Sequence, residues 1–131
     1  MTDNVNIGEI VIQDVIQDAH IVENFCILFD MIQRSVHANA VAKGFWEAAQ
    51  EDGTKIALMH SELSEALEAI RKPDLQGHLS DKGINLLTEE LADVIIRIMD
   101  FAEHTEMPLA EAIIYKAQYN TTRERLHGKT L

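Results

Sequence analysis

Two pairs of acidic residues with the same spacing are the part of this sequence that could do chemistry. Glu62 and Glu65 lie in the segment KIALMHSELSEALEAI, and Glu90 and Asp93 lie in the segment TEELADVIIRIM. Both segments space their apolar residues as a helix does, and residues three apart in a helix lie on adjacent turns of one face. Four carboxylates in one small volume repel one another unless cations bind between them. Ligands that are all oxygen suit Mg²⁺ or Mn²⁺, so the two pairs predict a magnesium site.

The position of each pair relative to the apolar stripe of its helix favours a shared pocket. In both helices the two acids lie at about 100° and about 160° from the stripe. If the stripes pack against a common core, both pairs can turn toward one pocket. The alternative is a solvated acidic surface, which is the usual place for a single acidic pair. The predicted stripes are Ile56, Met59, Leu63, Ala66/Leu67 and Ile70 in the first helix, and Leu87, Leu91, Val94/Ile95 and Ile98 in the second.

Apolar periodicity in the rest of the chain predicts an all-α fold, a four-helix bundle that positions the acidic pairs. Gly44 is expected to end the first helix and Thr54 to cap the second, which must end before Pro73. Residues 1–19 form a poorly defined N-terminal element, compatible with a strand or with the first turns of a helix. The four predicted helices cover residues 20–43, 55–72, 84–104 and 108–125.

The composition is that of one globular domain spanning residues 1–131, with 47% hydrophobic residues. A net charge of −11 argues against nucleic acid as a partner but is compatible with a metal-bridged nucleotide. No apolar run is long enough to span a membrane, and the N-terminus lacks the basic segment of a signal peptide. Cys26 is the only cysteine, so an intramolecular disulfide is excluded. We expect a cytoplasmic protein with neither membrane nor nucleic acid as a partner.

A stripe of polar residues near the C-terminus offers a complement to the acids. Lys116, Asn120 and Arg123 have the spacing i, i+4 and i+7, so they share one helix face. Two cations and an amide on one face can hold an anion such as a phosphate. The alternative is a solvated helix end, where the dipole favours basic residues. Beside four clustered carboxylates, phosphate binding is the better interpretation.

Three further residues are candidates for supporting roles. Arg97 follows Asp93 by four positions, so an intrahelical ion pair is its simplest role, and holding Asp93 in a ligating conformation is another. Asp100 continues the same acidic face and is expected to support the metal site from outside. Trp46 lies in a loop beside the polar end of the first helix, where it could stack on a base or fill a core or an interface.

Taken together, these motifs resemble those of the MazG-like, all-α nucleotide pyrophosphohydrolases. The segments SELSE and EELAD are similar to the ExxE…ExxD signature of that family. The upstream segment NAVAKGFW and the downstream segment KAQYNTTRERLHGK, which begins at Lys116, match it as well. The matching motifs span roughly residues 37–129, which is most of the chain.

The resemblance implies an all-α bundle of the NTP pyrophosphatase type that assembles as a homodimer or homotetramer. It also implies Mg²⁺-dependent hydrolysis of a nucleoside triphosphate to the monophosphate and pyrophosphate, with house-cleaning of non-canonical nucleotides as the expected role. Ile96 and Met99, which lie off the stripe of their helix, are consistent with burial between subunits. The implied metal ligands are Glu62, Glu65, Glu90 and Asp93, and the implied substrate-binding residues are Lys116, Asn120 and Arg123, to which we add Lys43 and Trp46.

The chemistry fits the residue types independently. No candidate nucleophile such as a Ser–His pair stands out, so water is the expected attacker, and Glu62 or Glu65 could accept its proton. A dimeric dUTPase or dCTPase is an alternative within the same class, because it would use the same kind of acidic metal site and differ in the base it selects. The phosphoribosyl-ATP pyrophosphohydrolases are a more distant relative. A di-iron carboxylate bundle, which is an alternative from another class, requires two Glu-x-x-His motifs. The sequence has one, Glu124–His127, which argues against this alternative. The third class is a non-catalytic helical interaction module with solvated acids.

Overall fold

The computed structural model describes residues 11–130, and all the regular structure in that range is helical. The all-α prediction is therefore confirmed for these residues. The first ten residues, which belong to the poorly defined N-terminal element, and Leu131 lie outside the described range. No helix of residues 11–130 is both long and apolar enough to cross a bilayer. The α-helices of this range are α1 (Ile12–Gln17), α2 (Ala19–Ala42), α3 (Asp52–Arg71), α4 (Leu86–His104) and α5 (Leu109–Thr121), with 3₁₀ turns at Ser80–Lys82 and Arg125–Gly128.

Local capping signals decide where α2 begins and ends. Asp18 separates α1 from α2, and its Oδ1 accepts hydrogen bonds from the backbone N–H groups of His20 and Ile21 at 3.0 and 3.1 Å. At the other end, Gly44 has a φ of 84°, in the left-handed region that glycine tolerates best. The N–H of Phe45 donates to the carbonyl of Ala40 at 3.1 Å, which completes a Schellman cap. The predicted stop at Gly44 is confirmed.

The start of α3 differs from the prediction. The helix begins at Asp52, with extended Glu51 before it, so Thr54 lies inside the first turn and is not the cap. The backbone N–H of Thr54 donates to the carbonyl of Glu51 at 2.9 Å. Acidic residues in a first turn are favoured by the helix dipole, which accounts for the earlier start.

The other predicted ends need small changes. Helix α4 begins at Leu86, two residues later than predicted, because the Oδ1 of Asn85 accepts from the N–H of Thr88 at 2.8 Å and caps it. Helix α5 ends at Thr121, four residues earlier than predicted.

The chain forms two compact units. The first combines Met1–Met31 with Pro108–Leu131, and in its described part α1 packs against α5. Ile16 of α1 and Ala110 of α5 are buried. The Nε2 of Gln118 donates to the carbonyl of Ile16 at 2.9 Å, so α5 also satisfies a backbone group of the short first helix.

The second unit, Ile32–Met107, is built on the packing of α3 against α4. Its buried apolar side chains are mostly small: Ala66, Ala69, Val94, Met99 and Ala102. Ala66 and Ala69 share a face with Glu62, because these three positions fall within about 60° of one another around the helix. Small side chains on this face leave room for α4 to approach closely.

The predicted apolar stripes are buried only in part: Ala66 and Val94 are buried, whereas most of the larger side chains of the stripes are exposed. Leu63, Leu67 and Ile70 of α3 are 46%, 48% and 59% exposed, and Leu91 and Ile95 of α4 are 44% and 53% exposed. The prediction that the stripes form the core within the chain is therefore wrong for these residues. Met99, predicted to lie between subunits, is instead buried within the unit, whereas Ile96 is 44% exposed. The set of exposed residues Leu63, Leu67, Ile70, Leu91 and Ile95 is called the outer aliphatic face below.

Candidate metal centre

Three glutamates from two helices come together in the second unit. Glu62 and Glu65 of α3 and Glu90 of α4 each offer a carboxylate oxygen, and these three atoms lie within 4.8 Å of one another. Oxygen ligands of one Mg²⁺ at about 2.1 Å are at most about 4.2 Å apart, so small side-chain rotations would suffice for all three to reach one ion. The donor set is all oxygen, as Mg²⁺ and Mn²⁺ prefer. The cluster can therefore hold a divalent metal ion.

The three carboxylates differ in their access to solvent. Glu62 is buried, with 8% of its surface exposed, Glu90 is half-buried and Glu65 is exposed. The cluster therefore has a closed side at Glu62 and an open side at Glu65. A water molecule or a solvent-borne ligand would reach it from the Glu65 side.

Asp93, the fourth predicted ligand, lies in the same negative environment although it is not one of the three that meet. Burial, followed by the charge of Glu62, raises the pKa of Asp93. Burial, followed by the charge of Glu65 and a hydrogen bond with its carboxyl group, raises the pKa of Glu90. Without a bound cation, the carboxylates of this cluster are held together against their mutual repulsion.

This repulsion makes a prediction for the metal-free protein. Because the pKa of Glu90 is higher in the fold than in the unfolded chain, its protonated form stabilises the fold. That contribution is complete below the ordinary carboxyl pKa of about 4 and is lost as the pH rises through the raised value. Glu90→Gln should therefore unfold at a higher urea concentration than wild type in EDTA, with a gap that widens from about pH 4 to about pH 8.

Glu68→Gln is the control, because the fold shifts the pKa of Glu68 in the direction opposite to that of Glu90. A hydrogen bond and the charge of Lys72 lower the pKa of Glu68, so its ionised form stabilises the fold and that contribution is lost as the pH falls. Its glutamine variant should gain nothing at neutral pH. A Glu90→Gln protein that is less stable than wild type at about pH 8 would contradict the electrostatic account.

Arg97 binds the buried member of the cluster. Its Nε donates to the Oε1 of Glu62 on the neighbouring helix, with the two side chains 35% and 10% exposed. The sequence pointed to an ion pair with Asp93 on the same helix, but the ion pair that forms joins α4 to α3. The guanidinium also lowers the pKa of Asp93, against the stronger effects that raise it. A cross-helix partner cannot be read from spacing along one helix.

Asp100 has partners of a different kind from those predicted. Its Oδ1 lies 2.7 Å from the Nδ1 of His37, and the Nε1 of Trp46 donates to both carboxylate oxygens at 2.9 and 3.1 Å. The carboxylate thus ties α4 to α2 and to the loop after α2. Its hydrogen bonds hold Trp46 in place rather than a metal ligand.

Trp46 is engaged on its ring as well as through its nitrogen. The imidazole of His104 stacks on it with centroids 3.8 Å apart and planes 19° apart, and the Nζ of Lys55 lies 3.7 Å from the ring centroid. The same ammonium donates to the carbonyl of Phe45 at 3.4 Å. Lys55 is buried, and sequence reasoning missed it because a lysine near a helix start is usually solvated. The predicted stacking of a base on Trp46 stays a prediction, since His104 and Lys55 both contact the ring.

Glu89 is a second residue that sequence reasoning missed. It is buried, and its two carboxylate oxygens accept hydrogen bonds from the backbone N–H groups of His78 and Leu79, both at 3.1 Å. A Cβ added at Gly77 would lie 2.1 Å from the Oε2 of Glu89. Glu89 therefore fixes the loop before α4 next to Glu90. The doublet Glu89-Glu90 was the signal in the sequence that could have identified it. Adjacent residues of a helix point in different directions, so only one of the two glutamates can face the partner helix.

The predicted phosphate-binding residues belong to the first unit. There Lys116 and Arg123 both approach the ring of Tyr119, with Nζ and Cζ 4.7 and 5.7 Å from its centroid. The Oδ1 of Asn120 is buried and has no hydrogen-bond partner among the described residues. A cavity of about 350 Å³ lies beside the stripe, lined by Tyr119, Thr122, Arg123, Glu124 and Gly128. Lys43 is exposed at the end of α2.

Comparison of the chain with protein-family models, with curated proteins and with solved structures finds no match in any of the three.

Proposed function

We propose that this chain is a Mg²⁺-dependent nucleoside triphosphate pyrophosphohydrolase. The observation that carries the proposal is the meeting of Glu62, Glu65 and Glu90 from two helices. An all-oxygen donor set that is partly buried and open on one side suits a hard divalent cation with a phosphate ligand. The resemblance of the acidic, upstream and downstream motifs to MazG-like enzymes supports the same conclusion independently of the geometry.

The acidic cluster and the C-terminal stripe would have different roles in such a reaction. Bound Mg²⁺, or Mn²⁺, would supply charge that screens the phosphates and makes water a better nucleophile. Glu65 is the better candidate to accept the proton of that water, because it lies on the open side of the cluster, whereas Glu62 is buried. The phosphates would be bound by the cations and the amide of the C-terminal stripe, Lys116, Asn120 and Arg123, as the resemblance implies. The products would be a nucleoside monophosphate and pyrophosphate.

Pyrophosphate release from a panel of canonical and damaged nucleoside triphosphates, with Mg²⁺ or with excess EDTA, tests this proposal. We expect turnover of at least one triphosphate with Mg²⁺ and its loss in EDTA. Turnover restricted to dUTP or dCTP would identify the dUTPase-like or dCTPase-like alternative, which the same acidic site would serve. Full turnover in EDTA would contradict a metal-dependent mechanism. A protein that binds Mg²⁺ but hydrolyses none of the panel would favour the non-catalytic module.

The proposed enzyme is a helical bundle of the NTP pyrophosphatase type that assembles as a homodimer or homotetramer. The outer aliphatic face supports this assembly, because its five large side chains are each about half exposed and would contribute half of the roughly 1.5–3 kcal/mol that burial of a fully exposed side chain provides. The face also keeps the two helices of the acidic cluster next to the subunit contact. A second copy of the same chain is the partner that would cover it symmetrically.

Leu67→Glu should convert the oligomer to a monomer in sedimentation velocity at micromolar concentration, because a buried, unpaired carboxylate is costly at an interface. Ser61→Glu is the matched control. Ser61 is exposed on α3 at about 120° from Leu67, so the same charge there should leave the oligomer intact. A monomeric wild-type protein would contradict the proposed assembly.

A further inference from the structure

We propose that Arg97 is an internal counter-ion that competes with the divalent metal for Glu62 and so sets the metal concentration at which the site fills. This inference rests on the proposed function, since it concerns the same acidic cluster. Its starting point is the ion pair between the Nε of Arg97 and the Oε1 of Glu62. That carboxylate is also one of the three that can meet at a metal ion.

The burial of Glu62 explains why a resident cation is needed. Its side chain is 10% exposed, and it lies beside the carboxylates of Glu65 and Glu90. A buried carboxylate without a partner is strongly unfavourable, and two like charges nearby make it more so. Arg97 is the cation that the second unit places on this carboxylate. In the metal-free protein the guanidinium therefore neutralises the closed side of the cluster.

The exposure of Arg97 explains how the guanidinium can leave Glu62. The side chain is 35% exposed, and a long, flexible side chain at the edge of solvent can turn its charged end into water. A divalent ion at the cluster would repel this positive charge and would take over its role at Glu62. Arginine and metal are thus alternative partners of one carboxylate. Because the ion must displace the guanidinium, the net affinity of the cluster for the ion is lower than it would be without Arg97.

The test is the Mg²⁺ affinity of Arg97→Gln, measured by isothermal titration calorimetry with the ion alone. Without the guanidinium we expect two effects of opposite direction. The metal-free variant should melt at a temperature about 5 °C lower than wild type, because Glu62 loses its partner. It should also bind Mg²⁺ about tenfold more tightly, because the competing charge is gone. A residue that only stabilised the fold would produce the first effect without the second.

Two further variants separate charge from other effects. Arg97→Lys keeps the positive charge and should bind Mg²⁺ within about twofold of wild type. Arg34→Gln removes the same chemical group from α2 of the same unit, where Arg34 is 72% exposed and its Nε lies 3.9 Å from Glu103. It should leave the Mg²⁺ affinity unchanged.

A second measurement uses wild-type protein and so does not depend on the folding of a variant. The Nε–Hε signal of Arg97 in an ¹⁵N NMR spectrum, assigned with Arg97→Lys, should shift in step with Mg²⁺ saturation. Unchanged or weaker Mg²⁺ binding by folded Arg97→Gln, or an unmoved Arg97 signal at saturation, would overturn the competition. Absence of Mg²⁺ binding by wild type would instead overturn the proposed function itself, and with it this inference.

Discussion

Glu65→Gln should lose about 10²–10⁴-fold in kcat and should also bind Mg²⁺ more weakly. The glutamine keeps the size of the side chain and its capacity for hydrogen bonds, but it removes a negative charge from the cluster with Glu62 and Glu90. It also removes the exposed carboxylate that we assign as proton acceptor. The measurement is initial rate against substrate at saturating Mg²⁺, with pyrophosphate as the readout.

The fold of this variant should survive, which separates a catalytic defect from a structural one. Glu65 is exposed, and its charge is one of the causes that raise the pKa of Glu90, so its removal relieves repulsion in the metal-free protein. Glu68→Gln, one turn further along α3, makes the same chemical change outside the cluster and should retain wild-type turnover. Wild-type turnover by Glu65→Gln at saturating Mg²⁺ would contradict the metal site and favour the alternative of a solvated acidic surface.

Gly77→Ala should lower the free energy of unfolding by about 2–4 kcal/mol, measured by urea denaturation. The added Cβ would lie 2.1 Å from the Oε2 of Glu89, so the buried carboxylate must move. Moving it breaks hydrogen bonds to the N–H groups of His78 and Leu79. Hydrogen bonds to a charged group contribute about 1.5–3 kcal/mol each, and partial rearrangement would recover some of that.

Gly53→Ala is the matched control for this change. Gly53 lies in the first turn of α3, and a Cβ there would meet nothing within 4 Å. Alanine is the better helix former by about 0.8–1 kcal/mol, so this variant should be more stable than wild type. Equal stability of the two alanine variants would mean that Glu89 does not hold the loop.

The features that sequence predicted correctly depend on neighbours along the chain. The end of α2 at Gly44 follows from the backbone freedom of one residue, and the acidic pairs follow from a spacing of three. The meeting of Glu62, Glu65 and Glu90 follows once the two helices pack together. Each of these predictions considers one helix at a time and assumes only that adjacent helices pack against each other.

The features that sequence missed depend on which face of a helix its neighbour selects. The predicted stripe of α3 includes Leu63, Leu67 and Ala66, because all three are apolar and lie on neighbouring turns of the helix. Of these, Ala66 is buried, whereas the two leucines remain exposed. The same choice of face brings Arg97 to Glu62 across the helix contact. The pattern of one sequence cannot distinguish an apolar face that closes a core from one that stays exposed on the folded chain.

The connectivity of the two units has a consequence for the order in which they fold. The unit that carries the acidic cluster is continuous, Ile32–Met107, whereas the other joins Met1–Met31 to Pro108–Leu131. A discontinuous unit must close a long chain loop before its contacts form, which costs entropy and slows folding. During folding, α3 and α4 can therefore pair before α1 packs against α5. The carboxylates of Glu62, Glu65 and Glu90 would then meet, and Arg97 would bind Glu62, before the discontinuous unit has formed.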